Sequence, residues 1–530
     1  MRALDRPGRS PVHARRAMVA TSHTDATQVA LDVMKAGGNA LDAAIAACAM
    51  QCVVEPGSTG IGGDCFALYA PGGRGTPLAF NGSGRAPAAA TPEALAARGV
   101  TALERESPHS VIVPGAVDAW TRLHADHGRL PFAELLAPAI AAARDGFVVA
   151  SRVAFDIGQQ ADFLARFERP ARLFLEAGRA PAVGSVRRLP ELADALEAIA
   201  REGRAPFHEG ELARGIVEEL QGLGGLHTMA DLAGAAGEYV TPVSTTFRGL
   251  TVHECPPNGQ GLIALLLLNM MGEVPIGADG PLAPGRIHLE IEACRQAYRV
   301  RDAHLADPAH AHVPVEAILS PAHARALLDA IDPERASAPP PAVPLPRHRD
   351  TVYIACVDAE RNVCSFINTL YWPFGGGITT RHGIVLTNRG QAFSLDPASP
   401  NAIAPGKRPR HTIIPAIASR GEEAALCFGV MGGEYQAMGQ MQFLTRHLDF
   451  GLDVQEAMDL PRFMCDPDTG EVEVESGIDA ATRQALRERG HVIVDAEAPI
   501  GGSQAIAIDA RTGVLTGGSD PRKDGAAAGY

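Results

Sequence analysis

A threonine at position 351 opens the β-branched and apolar run Thr351-Val-Tyr-Ile-Ala-Cys-Val-Asp358. It follows directly on a stretch with almost no core-forming residues: Asp332 to Asp350 carries six prolines and three arginines, the composition of an exposed, extended linker. A cut at this junction would create chemistry. A threonine freed at a chain end holds its own α-amine within reach of its hydroxyl. That amine titrates near neutrality and can serve as general base, so nucleophile and base come in one residue. The pattern alone also fits an ordinary strand-edge threonine after a linker, the commoner occurrence for so short a motif. Rival chemistries lack their residues. There is no Ser-His-Asp signature and no HExxH. The Gly-rich Glu55-Pro-Gly-Ser-Thr-Gly-Ile-Gly-Gly-Asp64 has no P-loop lysine and does not run from strand into helix. It reads as a loop.

These residues have to be positioned by a large soluble fold. The chain has 530 residues and apolar content near half, as ordinary globular proteins do. A formal charge of −14 with no basic stripe excludes a nucleic-acid surface. The segment Met1 to Arg16 is Arg- and Pro-rich without the apolar core of a secretory signal. Leu262 to Met271 is too short to span a bilayer and reads as a buried helix. Nine cysteines, dispersed, odd in number and mostly in apolar contexts, read as buried reduced thiols. These features predict a cytoplasmic protein with no membrane or nucleic-acid partner.

Periodicity predicts helices over Thr27–Lys35 and Ala40–Cys52, separated by a Gly37 stop and an Asn39 cap. A strand follows at Cys65–Tyr69. The middle, Ala116 to Met271, reads as mainly helical, with Phe132–Asp145, Leu189–Glu202 and Glu211–Gly222 as examples. A further helix covers Arg286–Asp307. Beyond the linker the chain turns strand-rich: Thr351–Asp358, Val363–Leu370, Gly383–Thr387, Ala424–Val430 and Gln504–Ile508. The junction therefore divides the chain into a helix-rich part, 1–350 with its Pro-rich tail 332–350, and a strand-rich part, 351–530. A layered sandwich shared by both parts accommodates that pattern.

Ordered blocks along nearly the whole length resemble the γ-glutamyltransferase family. They include Val19-Ala-Thr-Ser-His23, Gly37-Gly-Asn-Ala-Leu-Asp-Ala-Ala44, Val54 to Gly63, Val113-Pro-Gly-Ala116, Lys407-Arg408-Pro409, Gly432-Gly433 and the ending Ser519-Asp-Pro-Arg-Lys-Asp-Gly525. The resemblance implies an α+β, four-layer αββα sandwich of the N-terminal-nucleophile hydrolase type, without cofactor or metal. It implies self-cleavage between Asp350 and Thr351 into a large and a small subunit, with a dimer of such heterodimers left open. Thr351 matches the nucleophile and Thr369 the threonine that hydrogen-bonds it. Gly432 and Gly433 match the pair whose N–H groups hold the oxyanion. A non-catalytic binding protein on the same scaffold is the reading from another class, and these intact residues oppose it.

The family's amino-acid pocket is not preserved. Ala392 and Tyr371 stand where family members have the carboxylate and amide that bind an ammonium, and Arg389 stands at a neighbouring glutamine position. His411-Thr412 replaces the serine pair that holds the α-carboxylate, and Arg85 lies two positions from the family's carboxylate-binding arginine. An ammonium buried without a partner costs several kcal/mol. The expected substrate is therefore a small anionic amide with no amine, oxamate favoured, with a γ-glutamyl substrate such as glutathione as the alternative; a structural pairing of Arg389 with a nearby acid is the other reading of that arginine. The stretch from Phe393 to Lys407 is shorter than in members with a lid, which implies an open pocket.

Overall fold

Side chains alternate along Val352–Val357, and the alternation sorts the core into layers. Tyr353, Ala355 and Val357 join one apolar cluster, Ile354 and Cys356 another. The same period of two holds on the neighbouring strand, where Val363 and Ile367 face the first cluster and Cys364 and Phe366 the second. The computed structural model describes residues 8–277, 279–338, 351–467 and 469–530. The self-cleavage residue Asp350, with 339–350, lies outside them.

Two seven-stranded sheets carry the fold. One runs in the order Val12–Ala14, Leu515–Ser519, Gly502–Ile508, Glu423–Met431, Ala416–Arg420, Leu250–Glu254, Val243–Phe247. The other runs Ala526–Gly529, Met18–Thr21, Val352–Val357, Val363–Thr369, Asp64–Ala70, Leu78–Gly82, Glu238–Val240. The pairings in both are antiparallel. Between them lies the cluster that holds Phe66, Tyr353, Ile367, Ile417, Cys427 and Ile506. Outside the second sheet pack helices Thr24–Lys35, Ala40–Val54 and Phe132–Asp145. Outside the first pack Gly261–Glu273, Pro284–His304 and Tyr435–Leu448. The architecture is the expected αββα sandwich.

Each sheet mixes strands from both sides of residue 350, so neither part completes a sheet alone. The local predictions largely match. Asn39 caps Ala40–Val54 in a reciprocal box with Asp42, and Gly37 takes φ +104° at the preceding break. The greasy run becomes helix Gly261–Glu273, apolar all round because Leu262–Leu268 is buried on every face. All nine cysteines are free and buried. No helix among the described residues is long and apolar enough to cross a membrane.

Three expectations need correction. Gly383–Thr387 makes only isolated bridges, Thr379 with Val385 and Gly62 with Leu386, because this segment packs on a loop rather than on a strand. The mainly helical middle also contains a small pair, Phe147–Val148 with Val186–Arg187, and the strands Glu238–Val240, Val243–Phe247 and Leu250–Glu254, the first two of which are edges of the two large sheets. Helix Pro284–His304 stops before Asp307, whose carboxylate accepts the Ala309 and Arg408 N–H groups.

Candidate active site

Thr351 sits at the head of a central strand. The register pairs Val352 with Asn368, which brings Thr351 level with Thr369, and their hydroxyl oxygens are 3.1 Å apart. Thr369 Oγ1 also accepts the Tyr371 N–H at 2.9 Å. That bond ties the end of its strand to a left-handed turn at Tyr371, φ +78°. Both threonines are buried.

The Gly-rich loop Glu55–Asp64 is what holds Thr369 in place. Asn368 Nδ2 donates to Thr59 Oγ1 at 2.8 Å and to the Gly60 carbonyl at 3.2 Å. A Cβ on Gly63 would stand 2.2 Å from the Thr369 carbonyl oxygen, and one on Gly62 2.2 Å from that of Val385. Only glycine permits this approach, which explains a motif with no phosphate to bind.

Gly432 and Gly433 follow strand Glu423–Met431 and precede helix Tyr435–Leu448, with φ +120° and +58°. Gly429 on that strand lies against the Tyr353 ring, across the inter-sheet core. The carbonyls of Gly432 and Gly433 accept from Tyr435 N and Gln436 N. A strand-to-helix turn of this kind presents backbone N–H groups at the positive end of a helix, where a developing oxyanion is favoured.

A second cluster surrounds Arg389, which lies on the short turn Arg389–Ala392 and is fully buried. Its Nη1 donates to Thr412 Oγ1 at 3.0 Å, and its guanidinium lies over the Tyr371 ring, 3.9 Å from the centroid. Such stacking holds a planar cation flat. Beside it His411 Nε2 is 3.0 Å from Asp64 Oδ2, while its Nδ1 accepts the Ile413 N–H at 3.3 Å. The acceptor role of Nδ1 places the ring proton on Nε2, pointing at Asp64. Burial first, then the Arg389 charge, hold the His411 pKa down to about 4, against the pull of Asp64. His411 is therefore neutral at physiological pH. Asp64 in turn accepts the Gly84 N–H at 2.8 Å.

Gln260 links the two clusters. Its Nε2 donates to the Thr412 carbonyl at 2.9 Å and to the Gly433 carbonyl at 3.1 Å. Asp64 and Gln260 went unnoticed in the sequence. Asp64 ends the Gly-rich block, and that adjacency was the available signal. Gln260 precedes a helix and gave none.

Arg85 stands apart from this cluster. It bonds the Gly406 carbonyl at 3.1 Å and pairs with Glu238 at 3.5 Å and Asp307 at 3.9 Å. Protein acids already face this guanidinium. Ala392 contributes its carbonyl to Asn401 Nδ2 at 2.5 Å. Thr351, Tyr371, Arg389, His411 and Thr412 are all buried. In the stretch from Phe393 to Lys407, Phe393 and Ile403 pack down on Ala86, Leu95, Leu103 and Ile112.

Comparison with known proteins gives the chain's family. A model of the family described as Gamma-glutamyltranspeptidase matches residues 26–530. The glutathione hydrolase-like YwrD proenzyme of Bacillus subtilis is 37% identical over 520 residues, 97% of this chain and 98% of that protein. The oxamate amidohydrolase proenzyme of Klebsiella pneumoniae is 36% identical over 527 residues, again 97% and 98%. The crystal structure of cephalosporin acylase from Bacillus halodurans superposes with a TM-score of 0.92 at 39% identity, covering 100% of this chain and 99% of that one. These relatives are hydrolytic enzymes, two of them named as proenzymes. The chain is an enzyme of the gamma-glutamyltranspeptidase family, with the N-terminal-nucleophile hydrolase fold.

Proposed function

We propose that the protein cleaves itself between Asp350 and Thr351 and then hydrolyses a small carboxylate-bearing amide, with oxamate as the favoured substrate. In processing, the Thr351 hydroxyl attacks the Asp350 carbonyl and the peptide nitrogen leaves, giving an ester by N-to-O shift. Water hydrolyses the ester, which returns the hydroxyl and leaves Thr351 with a free α-amine. In turnover that amine takes the hydroxyl proton as Oγ1 attacks the substrate amide, and Thr369 steadies Oγ1. The Gly432 and Gly433 N–H groups receive the oxyanion. Protonated by the ammonium, the leaving amine departs, and water cleaves the acyl ester.

The observation that carries the substrate class is the buried Arg389 guanidinium, set over the Tyr371 ring and hydrogen-bonded to Thr412. The neutral His411 beside it adds no competing charge. The positive charge of such a guanidinium attracts a short carboxylate-bearing acyl group and repels an α-ammonium. Arg85 is left out of this reading because Glu238 and Asp307 face it. The alternative, glutathione hydrolysis, is favoured by the 37% identity to a glutathione hydrolase-like proenzyme.

The deciding experiment assays the mature protein with oxamate, a glutaryl amide and glutathione side by side. The proposal expects kcat/KM for an amine-free anionic amide to exceed that for glutathione. Equal or faster glutathione cleavage would move the assignment to the alternative.

A further inference from the structure

One buried cluster of metal-type ligands bridges the two sides of residue 350 and shares no residue with the candidate active site. His288 and Glu292 stand one turn apart on helix Pro284–His304, and His491 follows helix Ala480–Glu488. All three are buried, and one ligand atom from each lies within 4.8 Å of the others. Among the described residues this is the one such group.

The hydrogen bonds around it orient the ligands. His288 Nε2 is 2.8 Å from the Asp332 carbonyl. A carbonyl only accepts, so Nε2 carries the ring proton and Nδ1 presents a lone pair. Metal-bound histidines are held in this way, with the far nitrogen donating to a carbonyl. The Nδ1 lone pair points at His491 Nε2, 2.7 Å away. Glu292 is fixed too, its Oε1 accepting from Arg295 at 2.7 Å and its Oε2 from the Ser337 N–H at 3.2 Å.

We propose that His288 Nδ1, His491 Nε2 and the Glu292 carboxylate bind one divalent ion of the zinc class. Two imidazole nitrogens on tetrahedral zinc lie about 3.3 Å apart, given Zn–N near 2.05 Å. The rings therefore open by roughly 0.6 Å as the ion replaces the proton between them. That proton moves to His491 Nδ1, a buried atom with no hydrogen-bond partner among the described residues. Binding thus changes a tautomer and releases no net proton. The facing charges are Arg295 and Arg489, opposed by Glu292 and by Glu334, which lies 3.5 Å from Arg489. Two cations nearby disfavour weakly bound hard ions, and the imidazole pair selects zinc over magnesium or calcium.

Position gives the ion a role. His288 and Glu292 precede the proposed cleavage junction, and His491 follows it. Asp332 and Ser337, which touch the ligands, lie at the root of the Pro-rich linker, and the Ala336 N–H bonds the Arg489 carbonyl at 2.7 Å. A bound ion would fasten that root to the 351–530 part before and after cleavage.

The test strips the full-length protein with a chelator, loads it with Zn²⁺ and counts the metal retained after desalting; Co²⁺ loading gives a visible spectrum of its coordination. The wild type should hold about one Zn²⁺ per chain, and its Co²⁺ form should show nitrogen-coordinated d–d bands. His491→Gln and Glu292→Gln should lower retention at least tenfold at unchanged circular dichroism. Zn²⁺ should raise Tm in the wild type alone. A wild type that retains no Zn²⁺, or variants that retain as much as it does, overturns the site. If neither variant folds, the wild-type stoichiometry and Co²⁺ spectrum decide alone.

Discussion

The two clusters of the candidate site are built from different material. Thr351, Thr369 and the Gly432-Gly433 turn lie at the ends of long strands, where sheet register sets their positions. Arg389, Tyr371, His411 and Thr412 lie on irregular segments, held by stacking, one buried histidine–aspartate bond and Gln260. The half proposed to do the chemistry is positioned by backbone. The recognition half depends on which side chains happen to meet, so it can be re-tuned without disturbing the sheets. Relatives bearing the names glutathione hydrolase, oxamate amidohydrolase and acylase on one fold are what that division produces.

Damage to the two halves should differ in kind as well as size. Thr351→Ala removes the proposed nucleophile, and the chain should remain whole and lose activity by roughly 10³-fold or more. Gel analysis and single-turnover assays check both, and normal cutting in this variant would place the nucleophile elsewhere. Gly432→Ala should come next. A Cβ there meets Gly501 Cα at 2.9 Å on a backbone at φ +120°, so the turn must shift its N–H groups. A misplaced oxyanion donor costs about 10²–10³ in kcat, with KM little changed. Retained turnover at unchanged fold would exclude this turn as the oxyanion site.

Breaking the recognition half should be milder and selective. Arg389→Gln should reduce kcat/KM for anionic amides about 10- to 100-fold, since a charged hydrogen bond is worth roughly 1.5–3 kcal/mol. Measured beside an uncharged amide, the loss should be confined to the anionic one. An equal loss for both would make Arg389 structural.

The smallest effect is one of pH. His411 binds its proton at about 4 in the folded chain, against the usual 6.5. As pH falls, the unfolded chain therefore takes up this proton first. The contribution is complete above about pH 6.5 and is lost between 6.5 and 4, by up to roughly 3 kcal/mol for this ring. His208 and His227, also buried and lowered to about 4, act in the same direction. Comparing Tm against pH for the wild type and His411→Asn isolates the one ring. The variant should show a shallower fall over that window, and parallel curves would mean that His411 already ionises as a free histidine does.

The same division governs what could be read from sequence. Strand Val352–Val357, its partner Val363–Thr369 and the Asn39 cap follow from local pattern, because residue type and spacing dictate them. The strands between 238 and 254 are not legible locally, since their short polar alternation sits inside a helical stretch and they pair into sheets whose other strands are remote in sequence. Gly383–Thr387 looked like a strand because it is apolar, yet it packs on a loop. In the site, resemblance located Thr351, Thr369 and the glycine pair. The ion pairs of Arg85 and the Asp64–His411 bond depend on contacts across hundreds of residues, which no local pattern encodes.

Intact-mass spectrometry of purified wild-type protein, followed with time at neutral pH, tests the central claim most directly. The account predicts that one mass gives way to two fragments that meet at Asp350 and Thr351, with threonine as the new amino terminus. A chain that stays whole and yet hydrolyses substrate, or one cut at another bond, would contradict it.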